Sequence, residues 1–182
     1  QGQLVEATRG DLASNSDSVT GVREFTGDGQ ISTVVLDGEQ ALVKPGTDGP
    51  GTLAFGNYFD FELVNFPAER NTQIELDLRD PGVVGSKVND LVRFTGFHNF
   101  SAGISVNDPP SGDVPVGSYT IMEFDQSGGF VLEMTDNSPS NRFFEISPPN
   151  SIFSPNEIQM IVTEAVPVSA TLTAASDSDI GP

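Results

Sequence analysis

The strongest constraint on this chain is a strict two-residue alternation of apolar and polar side chains. Gln73-Ile74-Glu75-Leu76-Asp77-Leu78-Arg79 places Ile74, Leu76 and Leu78 on one face and polar groups on the other. Phe59-Asp60-Phe61-Glu62-Leu63 does the same, and Phe130-Val131-Leu132-Glu133-Met134 puts Phe130, Leu132 and Met134 on the core face. A period of two fits a half-buried strand and does not fit a helix. Further short segments rich in β-branched and aromatic residues read as strands: 4–7, 31–36, 41–43, 52–55, 91–97, 103–106, 119–124 and 142–146. Residues 158–163 are β-branched-rich and favour a strand, although Ser154-Pro155-Asn156-Glu157 has the form of a helix start. A second weak helix candidate covers 86–92.

Turn chemistry separates these segments. Gly27-Asp28-Gly29, Asp37-Gly38, Asp80-Pro81-Gly82 and the run from Pro45 to Gly51 supply positive φ, fixed proline φ or Asx turns. Two hairpins are expected. One joins 119–124 to 130–134 through Asp125-Gln126-Ser127-Gly128-Gly129, the other joins 59–66 to 73–79 through residues 67–71. No internal repeat is apparent, which disfavours solenoids and propellers. The expected fold is all-β: one β-sandwich or jelly-roll barrel of about eight to ten short antiparallel strands. The expected organisation is an N-terminal arm with a short strand over 1–22, a core over 23–165 and a C-terminal arm over 166–182. Both arms are polar, and such segments bury too little to order themselves alone, so they are expected to lie along a neighbouring subunit.

Charge narrows function. The 182 residues carry 26 acids, 8 bases and one histidine, for a net charge of -18. The acid load is ordinary; base is what is missing, with lysine only at 44 and 87 and arginine at 9, 23, 70, 79, 93 and 142. So few scattered bases cannot neutralise a phosphate backbone or dock on an anionic bilayer, so neither nucleic acid nor membrane is an expected partner. No run of about 18 apolar residues is present, so no membrane-spanning helix is expected. No signal-peptide pattern is visible; the sequence begins at Gln1 rather than Met, which leaves room for a preceding segment. An acidic, lysine-poor surface suits high salt, where screening removes its self-repulsion.

Catalytic groups are sparse. Without cysteine, thiol chemistry and Cys-based metal sites are excluded. His98 lies in Thr95-Gly96-Phe97-His98-Asn99-Phe100 with no nucleophile elbow nearby, and reads as a core or interface residue. Glu62, Glu75, Asp77, Glu123 and Glu133 could form carboxylate pairs, yet they alternate with core residues as a solvated outer face does, and tryptophan platforms for sugars are missing. Neither cofactor nor catalytic residue is expected. Calcium or another structural cation is the most plausible ion, with Asp28, Asp37, Asp48, Asp108 and Asp113 in Gly/Pro-rich loops as oxygen donors. Asn99-Phe100-Ser101 has the form of a glycosylation acceptor. Of 13 phenylalanines, Phe143 and Phe144 are adjacent, so in a strand one must point outward and offers an interface contact.

The acidic, lysine-poor balance, the strand series from Ile31 to Thr163 and the two polar arms resemble the single jelly-roll capsid proteins of icosahedral viruses infecting halophilic archaea. The resemblance is one of pattern across the whole chain and carries no site residue. It implies a barrel standing upright in a shell, partnered by itself and other shell subunits, located in the virion and without enzymatic activity. An extracellular filament or surface-layer subunit completed by a neighbour's strand is the alternative. A secreted carbohydrate- or calcium-binding β-sandwich module is another.

Overall fold

The computed structural model describes residues 22–36, 40–60, 72–110, 112–126, 128–135, 141–148, 150–151 and 156–165. The expected C-terminal arm, the N-terminal arm up to residue 21, the strand candidate at 4–7 and the loop at 67–71 lie outside them. Among the described residues there are twelve strands and no helix: β1 Val22–Gly27, β2 Gly29–Leu36, β3 Gln40–Pro45, β4 Thr52–Asp60, β5 Thr72–Asp77, β6 Leu91–Phe94, β7 His98–Asn107, β8 Gly117–Phe124, β9 Gly129–Met134, β10 Arg142–Ser147, β11 Asn150–Ser151 and β12 Glu157–Glu164. The all-β expectation holds. The expected strand at 158–163 is β12. The helix candidate at 86–92 becomes a turn, with Ser86 and Lys87 at positive φ, followed by β6.

Pairing departs from the expected antiparallel jelly roll. Eight of the eleven strand pairings among the described residues are parallel. The odd strands stack as β1-β3-β5-β7-β9, and the even strands as β2-β4-β6-β8. The chain alternates between the two ladders, so each odd strand and the even strand after it form one coil of a winding stack. A parallel pair needs a long crossover; here the intervening strand of the opposite ladder provides it. The expected hairpin between 119–124 and 130–134 therefore does not form; of the other, residues 61–71 lie outside the described residues. β8 pairs with β6 and β12, β9 with β7 and β11, and β4 and β5 stand in different ladders. Antiparallel strands occur only at the far end, where β12 and β10 follow β8 and β11 follows β9. A brief pairing of Tyr58 with His98 and Phe59 with Asn99 joins the ladders into one sheet.

Parallel register puts like residues over one another. Across the odd ladder, Phe25, Val43, Ile74, Ile104 and Met134 form a continuous inward row. Across the even ladder, Ile31, Phe55, Phe94 and Phe124 do so. The phenylalanines stack face to face, with ring centroids 5.7 Å apart for Phe55–Phe94 and 5.3 Å for Phe94–Phe124. Those spacings lie close to the ~4.8 Å separation of neighbouring strands, so the backbone ladder itself sets the stacking distance. Edge contacts of Phe25 with Phe55 and Tyr58 with Phe100, and the stacked pair Phe124–Phe130, bind the two ladders around one core.

Outward rows are mostly polar: Thr26, Lys44, Glu75 and Ser105 on one ladder, and Gln30, Arg93 and Glu123 around the small Ala54 on the other, where Arg93 grips Glu123 through two guanidinium nitrogens. Two glycines permit tight joins. Gly46, at φ 80°, exchanges backbone hydrogen bonds of 3.0 Å with Gly27, and a Cβ there would lie 1.9 Å from the Gly49 carbonyl oxygen. Gly96 passes so near the next coil that a Cβ would meet the Gly56 carbonyl oxygen at 1.4 Å.

Phe94 touches Phe55, Tyr58, His98, Phe100 and Phe124. Phe94→Ala is expected to cost about 3–5 kcal/mol in urea denaturation. Gly96→Ala is expected to destabilise too, through overlap with backbone rather than a cavity, and the measured stability of both variants checks the register.

Candidate functional site

Where β3, β5 and β7 end side by side, a surface recess of about 260 Å³ opens. Lys44, Asp77, Arg79, Asn107 and Asp108 line it from the strand ends, and Thr47, Asp48 and Gly49 from the turn between β3 and β4. Leu78, Pro109 and Pro110 add apolar wall. Parallel stacking explains the grouping, since three successive coils bring their strand ends to one side. Lys44 lies 3.5 Å from Glu75, and Asp77 accepts a 2.9 Å bond from the Asn107 amide. The Arg79 guanidinium covers Gly49, 3.1 Å from where a Cβ would stand.

Behind this recess lies a buried polar pair, Asn89 and Asp90, just ahead of β6. Asn89 Oδ1 accepts from the Arg79 and Asp80 N–H groups at 2.7 and 3.0 Å, and its Nδ2 donates to the Asp80 and Val83 carbonyls at 2.7 and 2.6 Å. It therefore holds the 79–83 turn in place of a backbone partner. Asp90 Oδ1 accepts from Gly51 N–H and Oδ2 from Asp77 N–H, each at 2.7 Å, while its own N–H donates to the Asp77 carbonyl at 2.9 Å. Burial pushes the Asp90 carboxyl up to about 7, against the opposing pull of those two N–H donors; Asp77 adds to the rise and Lys44 opposes it. Neither residue was among the sequence candidates. The available signal was a polar Asn-Asp pair wedged between a glycine turn and the apolar Leu91-Val92.

The four calcium candidates among the described residues do not converge on one site. Asp48 and Asp108 share the recess with two cations. Asp28 accepts from Thr52 N–H at 2.8 Å and lies 3.9 Å from Lys87, and Asp113 lies 3.9 Å from Arg142. Asp37 is outside the described residues. Among the described residues no group of three or more His, Asp or Glu side chains is placed to hold a metal ion. The strand acids are also dispersed: Glu75 faces Lys44, Asp77 holds Asn107, Glu123 holds Arg93, and Glu133 is exposed on β9. Glu62 lies outside the described residues. Phe143 is 58% exposed while Phe144 is buried, so the adjacent pair splits between the two faces of β10.

His98 is fully buried against Phe94, Phe100 and Phe124, with the Phe124 ring centroid 4.4 Å away. Burial pushes its pKa down to about 4, and a hydrogen bond with the Gly96 backbone opposes that only partly. Its place is the core. A second buried polar chain runs from the Tyr58 hydroxyl to Thr72 (2.9 Å) and from Thr72 to Asp60 (3.3 Å), and burial raises the Tyr58 pKa.

The His98 shift has a definite sign. Between about pH 6.5 and 4 an unfolded chain binds a proton at this residue and the folded chain does not. Its contribution to stability therefore falls as pH drops through that window and levels off below it. Urea midpoints for the protein and for His98→Phe are expected to diverge in pH dependence there, the protein losing stability relative to the variant as pH falls. No family model, no curated protein and no solved structure matches this chain.

Proposed function

We propose that the protein is a structural subunit without catalytic chemistry, which associates with copies of itself end to end and extends its sheet from one copy to the next. The observation that carries this reading is the common termination of the two ladders. β1 and β2 close one end of the stack; β10 and β11 close the other. Among the described residues no strand pairs with the outer edge of any of the four. A copy stacked on the end meets both ladder edges together, so backbone N–H and C=O groups of two strands pair in one step. Because the two ends differ, the contact is heterologous and runs on as a thread. Phe143, exposed on β10, adds an apolar contact at that edge. With only eight bases, ion pairs contribute little to such joints, and salt strengthens them by screening the repulsion of a net charge of -18.

This favours the extracellular filament or surface-layer form of self-association. A viral shell tile belongs to the same class, but the upright antiparallel jelly roll behind it does not correspond to parallel ladders.

Sedimentation and electron microscopy of the full chain at molar and low salt test the reading. Salt-promoted threads are expected; closed shells would return the reading to a capsid, and monomer at every salt concentration would overturn it. Phe143→Asp is expected to reduce association while changing folding stability by no more than about 0.5 kcal/mol.

A further inference from the structure

Asp90 ties separate coils together. Its two carboxyl oxygens reach the Gly51 N–H, at the entrance to β4, and the Asp77 N–H, at the end of β5. These are the backbone groups that fix the turn through Thr47, Asp48 and Gly49 against the strand end beside it, and both form walls of the recess. Other restraints on that turn are the Gly27–Gly46 backbone pair, the bond from Leu91 N–H to the Gly51 carbonyl at 3.0 Å and the bond from Thr52 N–H to Asp28.

We infer that Asp90 is a proton-operated latch between the second and third coils, gripping both N–H groups as a carboxylate and only one of them as a carboxylic acid. A carboxylate presents acceptor sites on both oxygens; a carboxylic acid turns one oxygen into a hydroxyl, a poor acceptor whose proton must itself be placed. Protonation thus costs one of two short charge-assisted bonds and loosens the wall of the recess. The charged groups facing the latch can be named element by element. From β5, the Asp77 carboxylate favours proton uptake; from β3, Lys44 resists it, although Glu75 shares that ammonium group. From the β1–β2 turn, the Asp28 carboxylate stands at Gly51, 2.4 Å from where a Cβ on that glycine would lie, with Lys87 3.9 Å from its other oxygen.

Local and global effects have opposite signs. Between about pH 7 and the ordinary Asp range, the folded chain holds a proton on Asp90 that the unfolded chain does not. The contribution of Asp90 to overall stability therefore rises as pH falls through this window, since protonation relieves a buried charge. Over the same window the grip on the turn weakens.

Amide NMR on the full chain from pH 8 to 5 tests this. The Gly51 and Asp77 amide signals are expected to titrate together with a midpoint near neutrality. Hydrogen-exchange protection of one or both is expected to fall about tenfold on the acid side, the loss of a bond to a charged acceptor. Protection at Phe55 and Phe94 should hold. A midpoint below about 4.5, close to an ordinary aspartate, or protection at Gly51 and Asp77 that does not change, overturns the inference. Asp90→Asn is expected to abolish the titration of both amides; titration that persists in it also overturns the inference. Should that variant fail to fold, the carbon-13 carboxyl titration of Asp90 in the unaltered protein decides the matter by the same midpoint.

Discussion

The structure depends on the stacking of like side chains along parallel, in-register strands. Backbone hydrogen bonds set the coil spacing, and that spacing is also a favourable distance for offset phenyl rings. The column Phe55–Phe94–Phe124, its rings 25° from parallel in the first step and 7° in the second, therefore needs no separate device to align it. The same register arranges the surface: Arg93 meets Glu123 and Asp77 meets Asn107 because each stands one coil above the other. Core and surface order have one cause.

Much of the local structure was legible in the sequence, and the topology was not. Alternation at 73–79 and 130–134 identifies strands because the inward face must be apolar whatever lies beside it. Partner choice is a different matter. The Gly-rich link between β8 and β9 suits a hairpin locally, yet Tyr119 and Phe130 belong to opposite ladders. The repeat was hidden by uneven coils. Arg93–Glu123 and Asp77–Asn107 each stand 30 residues apart, but Thr33–Asn57 stand 24 and Gly51–Asp90 stand 39. No fixed period survives that variation. The recess escaped notice for the same reason, since Lys44, Asp77 and Asn107 come together only through the stacking of three coils. The outward turn of Phe143 was legible, because adjacent strand residues must take opposite faces.

Buried ionisable groups give the fold a balanced response to acid. His98 resists protonation inside the aromatic column, and Asp90 resists ionisation behind the recess. Both shifts come from desolvation, but one group is charged when protonated and the other when not. Their effects on stability between roughly pH 6.5 and 4 have opposite signs and offset each other. A protein so poor in bases thus carries a compensating pair among its buried groups, apart from whatever its surface does.

The unequal coils bear on how such a chain can change. Its order resides in the rows that face one another, so residues added between one row and the next enlarge a connector and leave every row aligned. Doubling the length of a flexible connector costs only about 0.6 kcal/mol in closure entropy. A shift of a single residue within a strand, by contrast, would turn a whole row from core to solvent. Descendants of this sequence are free to lengthen or shorten at the coil junctions, including the turn at Thr47–Gly49 that walls the recess, and are held closely to spacing within each strand.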